Sequence, residues 1–155
     1  MKTNLDEFEQ LLNLIPSDFD PHFIKVKKGG KAPLVEEGRS WKEPEFRLDA
    51  EEAKQWLEEG GNVAFVARRN LVVIDVDDEE GARELLDARL FDTLAVRTRS
   101  GGIHLYFVNE GVENADASDV LEIRAEWRYV LVPGSYVDPG DTGGNGKYEV
   151  ADAVS

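Results

Sequence analysis

The sequence predicts an α+β domain on a largely antiparallel sheet. Two helix-plus-strand elements come first, each helix opened by a capping signal. After about residue 94 the pattern changes to short apolar strands in hairpins, separated by glycine-containing turns.

The elements follow in order. Asn4-x-x-Glu7 reads as a capping box for a helix to about Ile15, with Leu5, Phe8, Leu11, Leu12 and Ile15 at helical spacing; Pro16 stops it. Phe23 to Lys27 is a short alternating strand, with Lys25 and Lys27 on one face. The Gly-, Lys- and Pro-rich stretch from Lys28 to Arg47 is long for a loop in a compact domain. Asp49-x-x-Glu52 is a second capping box, whose helix turns Ala53, Trp56 and Leu57 inward and ends at Gly60-Gly61. Val63 to Ala67 and Leu71 to Val76 read as strands joined by a tight turn at Arg68-Arg69-Asn70, and Asp78 caps a helix to about Leu90 with Ala82, Leu85 and Leu86 buried. Leu94 to Thr98 and Ile103 to Val108 make a hairpin around Ser100-Gly101-Gly102, and Asn109 to Ser118 is a polar surface loop. Val120 to Arg124 and Tyr129 to Val132 read as a further strand pair, broken by Pro133-Gly134-Ser135. Asp138 to Gly146 is flexible by composition, and Lys147 to Val150 adds an edge strand.

The length of 155 residues fits one compact unit, and 41% hydrophobic residues suffice for a core. No apolar run approaches the roughly 20 residues that span a bilayer, and Met1 to Ile15 lacks the basic start and apolar stretch of a signal peptide. A cytoplasmic protein without a membrane partner is expected. There is no cysteine, which excludes disulfides and thiolate metal sites, and two histidines, His22 and His104, leave no basis for a histidine-rich zinc site. Net charge is -14, from 32 acids against 18 Lys and Arg. That balance argues against nucleic-acid binding by the surface as a whole. The basic residues are clustered, however, at Lys25, Lys27, Lys28 and Lys31, at Arg68 and Arg69, at Arg97 and Arg99, and at Arg124 and Arg128.

Three motifs carry chemistry. In Leu71-Val72-Val73-Ile74-Asp75-Val76-Asp77-Asp78, strand alternation puts Asp75 and Asp77 on one face while Ile74 and Val76 enter a core. Two adjacent carboxylates repel unless one is protonated or a cation lies between them, and hard divalent ions suit such oxygen donors. The plainer alternative is that Asp77 and Asp78 end the strand and cap the next helix. In Thr98-Arg99-Ser100-Gly101-Gly102-Ile103-His104, a Ser-Gly-Gly turn can offer backbone N–H groups to an anion, and His104 can hydrogen-bond a triphosphate oxygen; an ordinary hairpin turn fits equally. In Leu121-Glu122-Ile123-Arg124, Glu122 and Arg124 share a face, either as a surface ion pair or as a third metal-binding carboxylate beside a phosphate-binding guanidinium.

Taken together and in order, these motifs resemble the bifunctional primase/polymerase (Prim-Pol) domain of the archaeo-eukaryotic primase superfamily. Lys31-x-Pro33 with Trp41 is similar to its N-terminal signature, and Gly61-Asn62-Val63 to the Asn-Val segment before a strand. Ile74 to Asp77 resembles the first catalytic motif, Ser100 to His104 the second, and Glu122 stands at the third acidic position. Tyr129 to Ser135 and Gly146-Lys147-Tyr148 resemble the elements that close the domain. The chain departs from the pattern in carrying Glu122 where Asp is usual, in having Glu126-Trp127-Arg128 at a glycine-containing step, and in lacking a cysteine-based zinc insertion.

The resemblance implies an archaeo-eukaryotic primase catalytic core over residues 1–155, with an N-terminal α/β part at about 1–70 and an RRM-like sheet at about 71–150. It implies Asp75, Asp77 and Glu122 as catalytic ligands of Mg2+ or Mn2+. Ser100, Gly101, Gly102, His104 and Arg124 are implied to bind the nucleotide. Lys25, Lys27, Lys28 and Lys31 are candidates for nucleic-acid contacts. Implied partners are a DNA or RNA template and primer, a (d)NTP, and a helicase or C-terminal helical domain outside this chain. Three alternatives remain: a degenerate nucleotide- or nucleic-acid-binding domain, a haloacid-dehalogenase-like phosphohydrolase, and a glycosyltransferase using Asp-x-Asp. The phosphohydrolase needs a downstream lysine, and none lies between Asp78 and Ser135. The Ser-Gly-Gly-x-His hairpin does not suit the glycosyltransferase.

Overall fold

A computed structural model of the chain describes residues 3–15, 19–68, 71–78, 80–81, 93–99, 101–108, 114, 121–140 and 144–151. Helix α1 (Asn4–Leu14) begins one residue earlier than its sequence signal. Thr3 is the N-cap and forms the capping box with Asp6, each side chain bonding the other's backbone N–H, at 3.1 and 2.9 Å. Glu7 is thereby released to turn inward, where its carboxylate accepts the Val150 N–H at 3.0 Å. Helix α2 (Ala50–Glu58) is capped by Asp49 and Glu52, as the sequence predicts.

Among the described residues nine strands form two antiparallel sheets: β1 (His22–Val26), β2 (Arg47–Leu48), β3 (Asn62–Ala67), β4 (Leu71–Val76), β5 (Ala95–Arg97), β6 (Ile103–Val108), β7 (Leu121–Arg124), β8 (Arg128–Leu131) and β9 (Glu149–Val150). The first sheet has the order β2-β1-β3-β8 and the second β7-β4-β6-β5-β9. In the second, β4 and β5 are parallel with β6 between them, and β7 flanks β4. This is the strand order of an RRM-like βαββαβ unit, extended by β9. Glu80 and Gly81 are helical in the crossover; the rest of the helix predicted to Leu90, and all of the 109–118 loop except Asn114, lie outside the described residues. Among the described residues no helix is long and apolar enough to cross a membrane.

Two sequence-based pairings are corrected. β3 and β4 do not pair, because both edges of β3 are already taken by β1 and β8; Arg69 and Asn70 of the expected turn lie outside the described residues. Likewise β7 and β8 do not pair: β7 joins β4, while β8 joins β3 in the other sheet. The switch happens at Ala125 to Trp127. Trp127 adopts a φ of 53°, and its N–H donates to the Ala67 carbonyl at 3.0 Å, which aims the chain along β3. The 28–47 loop is also less open than its composition suggests. It is tied to β1 through the Val26–Pro33 bridge and contains a 3-10 turn at Pro44–Phe46.

The main core joins α1 and α2 to the first sheet and to one face of the second, with Phe8, Leu11, Phe23 and Phe65 beside Val73, Val96 and Tyr106. The opposite face of the second sheet holds a smaller cluster of Val76, Ala95, Ile103, Leu105 and Leu121. Asn62, only 2% exposed, stitches the loops above this core. Its amide donates to the carbonyls of Gly30 and Tyr136, each at 2.8 Å, and its oxygen accepts the Tyr136 N–H at 2.9 Å. Asn62→Ala is expected to cost about 3 kcal/mol, because two part-buried carbonyls and one N–H lose their partner together. Chemical denaturation should show that loss, and an unchanged midpoint would contradict the role.

Candidate active site

Asp75 sits on a central strand between β6 and β7. The register places it opposite His104 on one side and Glu122 on the other. Directly paired residues project to the same face of a sheet. One row therefore reads Glu122, Asp75, His104 and Val96, on the face that packs against the first sheet.

Charge within the row is closely matched. Asp75 Oδ1 lies 3.3 Å from His104 Nε2, and Asp75 Oδ2 lies 2.8 Å from Arg124 Nη2. The same Arg124 nitrogen donates to Glu122 Oε2 at 3.1 Å, while Nη1 donates to the Tyr129 carbonyl at 2.6 Å. Arg128 Nη1 donates to the other Glu122 oxygen at 2.5 Å. Burial alone pushes the Asp75 carboxyl up, but His104 and then Arg124 outweigh it and hold the group below the usual aspartate range. Asp77, exposed just past the end of β4, moves the other way. Partial desolvation and then the Asp75 charge push it up, Glu122 adds to this, and Arg124 and His104 oppose it. The three predicted carboxylates thus share one electrostatic field.

A cavity of about 190 Å³ opens on this row, its walls combining Lys31, Asp75, His104 and Arg124 with Tyr129 and Tyr148. It is smaller than the roughly 300–1,000 Å³ of most small-molecule pockets. His104 Nδ1 and Arg124 Nε are buried with no hydrogen-bond partner among the described residues. Such atoms are uncommon and mark a place for a ligand or an ordered water.

The hairpin turn differs from its sequence reading. The Gly101 N–H donates to the Thr98 carbonyl at 3.1 Å and the Gly102 N–H to Thr98 Oγ1 at 3.0 Å, so both amides are committed inside the turn. Glycine is required there for geometry. Gly101 has a φ of 91°, and a Cβ on Gly102 would stand 2.6 Å from the Val76 carbonyl oxygen. Ser100 lies outside the described residues.

Of the four candidate lysines, Lys31 reaches the cavity wall. Lys25 and Lys28 instead extend over the Trp56 ring, their Nζ atoms 4.8 and 5.6 Å from its centre, and Lys27 is exposed beyond β1. Arg128, Tyr129 and Tyr148 join the site without having been assigned to it from sequence. Arg128 meets Glu122 across the 125–127 turn, a juxtaposition that strand periodicity does not announce. The two tyrosines lie within segments whose order was noted but whose side chains were given no task.

The carboxylates fit a hard divalent cation in kind, being all-oxygen donors in a like-charge cluster that raises Asp77. As arranged, Arg124 and Arg128 compensate that charge. Among the described residues no group of three or more His, Cys, Asp or Glu side chains is set to hold a metal ion. A family model described as bifunctional DNA primase/polymerase, N-terminal, matches residues 9–154. No curated protein matches the chain.

Proposed function

Since the chain belongs to the bifunctional DNA primase/polymerase N-terminal family, we propose that it carries out template-directed nucleotidyl transfer from a (d)NTP to a primer 3'-hydroxyl. The observation that carries this reading is the row across β7, β4 and β6, in which Asp75 stands between Glu122 and His104 with Asp77 beyond it. Asp75, Asp77 and Glu122 would hold Mg2+ or Mn2+. Bound there, such ions supply Lewis acidity for the attacking hydroxyl and neutralise the departing pyrophosphate.

The chain's own residues position the substrate. Arg124 and His104 face the cavity and are assigned to the triphosphate, as is Ser100. With their amides committed inside the turn, Gly101 and Gly102 contribute clearance, and nothing lies within 4 Å of where a Gly101 Cβ would be. Lys31 is the lysine best placed for template or nucleotide phosphate. DNA, with RNA as the alternative, is the proposed template and primer, and a helicase or helical domain outside this chain is the proposed partner. A second reading, a degenerate domain that binds nucleotide without polymerising it, has one observation in its favour: two guanidinium groups already neutralise Asp75 and Glu122.

Extension of a labelled primer on a DNA template, with dNTPs and Mn2+, separates the two. The polymerase reading expects metal-dependent extension and triphosphate binding that needs the metal. Metal-independent binding with no extension would support the degenerate domain. His104→Ala is expected to raise KM for the triphosphate about tenfold, the usual scale for one lost hydrogen bond to a charged group. A fall in kcat at unchanged KM would show instead that His104 acts by orienting Asp75.

A further inference from the structure

We infer that Trp41, Trp127 and Tyr129, with Arg68 lying on Trp127, form a stacking platform for the bases of single-stranded DNA beside the cavity. The inference rests on the polymerase reading for its biological sense, since it names where the template strand is held.

The three rings are half-buried and meet edge to face. Trp41 and Trp127 have centroids 6.0 Å apart, and Trp41 and Tyr129 have centroids 5.3 Å apart. Cations gather on them: the Arg68 guanidinium carbon is 4.0 Å above the Trp127 ring, and Lys42 Nζ is 5.7 Å from the centre of Trp41. Cations also lie over Trp56 and Phe46, but here the rings that carry them adjoin one another and a third, Tyr129. Arg68 also pairs with Glu126 at 2.5 Å, but the pair is partly exposed, its side chains 29% and 49% accessible, and can yield to phosphate.

Trp127 itself is the second argument. Its φ of 53° lies where bulky side chains are seldom found. The turn is fixed without the indole: Asn114 Oδ1 accepts the N–H groups of Ala125 and Glu126 at 2.7 and 3.0 Å, and the Trp127 N–H reaches the Ala67 carbonyl. Glycine or asparagine would make this turn with less strain. Packing accounts for the buried edges of the rings, but not for a strained tryptophan with a guanidinium on its face. The platform is also continuous with the site. Tyr129 both touches Trp41 and lines the cavity beside Asp75, and its hydroxyl donates to the Lys31 carbonyl at 3.1 Å. Aromatic faces and guanidinium planes next to phosphate-binding cations are the means by which proteins hold single strands without reading sequence.

Fluorescence anisotropy with a labelled oligo-dT and an abasic oligonucleotide of equal length tests this. EDTA is included so that neither metal nor polymerisation is needed. Wild type is expected to prefer oligo-dT. Trp127→Gly, which keeps the left-handed turn, should lose about tenfold in affinity for oligo-dT and nothing for the abasic strand. Lys42→Glu should weaken both strands alike. Circular dichroism and a thermal melt establish folding; should Trp127→Gly fail to fold, Arg68→Ala is the surface variant expected to show the same base-dependent loss, at about threefold. Equal wild-type affinity for the two strands, as expected of a protein-docking surface, overturns the inference. So does a folded variant, Trp127→Gly or Arg68→Ala, with unchanged oligo-dT affinity. Base-dependent binding without any primer extension leaves the platform standing and removes the polymerase. Extension with unchanged template KM in Trp127→Gly does the reverse.

Discussion

Asp75→Ala is expected to lower primer extension by on the order of 10³-fold or more while leaving the protein folded. Asp75 pairs across the sheet with Glu122 on one side and His104 on the other, so its loss removes the centre of the row. A barrier increase of several kcal/mol corresponds to that factor, and this is the scale of the charge stabilisation that metal-binding carboxylates support. The fold should survive because Arg124 keeps the Glu122 carboxylate and the Tyr129 carbonyl as partners. Asp77→Ala should abolish extension equally, yet its effect on stability has the opposite sign. Its carboxyl is pushed above the ordinary value, so at neutral pH the ionised side chain is disfavoured in the folded state, and removing it should leave the melting temperature unchanged or slightly higher. Extension assays beside thermal melts at neutral pH would show both. Full activity in either variant would remove the two aspartates from the mechanism.

Gly102→Ala is expected to cost about 3 kcal/mol and to lower the melting temperature by about 10 °C. The added Cβ would meet the Val76 carbonyl oxygen at 2.6 Å and Thr98 Oγ1 at 3.1 Å, with the Asp77 Cα at 3.6 Å. Two of those neighbours are backbone, so relief requires the hairpin to move away from the end of β4. That displacement would carry His104 from Asp75 and reduce extension as well. Gly101→Ala supplies the contrast. Space is open there, and only its positive φ opposes a side chain, for a cost of about 1–2 kcal/mol. Equal melting temperatures for the two variants would show that the close approach at Gly102 is relieved elsewhere.

Strand periodicity made much of the site legible. Ile74 and Val76 on the apolar side leave Asp75 on the other, and the same alternation orients Glu122 and His104. The two N-terminal helices were legible from their capping residues, with Thr3 displacing Asn4 because either side chain can cap and only geometry chooses. Strand partners were not legible. Leu121 to Arg124 and Arg128 to Leu131 have the lengths and spacing of a hairpin, and what sends them to different sheets is a left-handed tryptophan and an amide from Asn114. The task of Asn62 was hidden for a related reason: its partners, Gly30 and Tyr136, are far along the chain and meet it only once both loops have folded. The glycines of the hairpin were legible as necessary, but not the close approach at Gly102, where a Cβ would stand 2.6 Å from the Val76 carbonyl oxygen.

β8 gives the molecule a particular order of assembly. The strand that completes the first sheet is made some sixty residues after β3, and the chain has by then begun the second sheet. On a ribosome emitting roughly 5–20 residues per second, α1, α2, β1, β2 and β3 would wait several seconds with one edge of β3 uncovered. Such long-range pairing is slow and exposes an unpaired edge to other nascent chains. The first sheet therefore cannot close before about residue 131 has been made. Tyr129, the tyrosine of the proposed platform, lies on that same late strand, so the ring and the last strand of the N-terminal sheet arrive in one step.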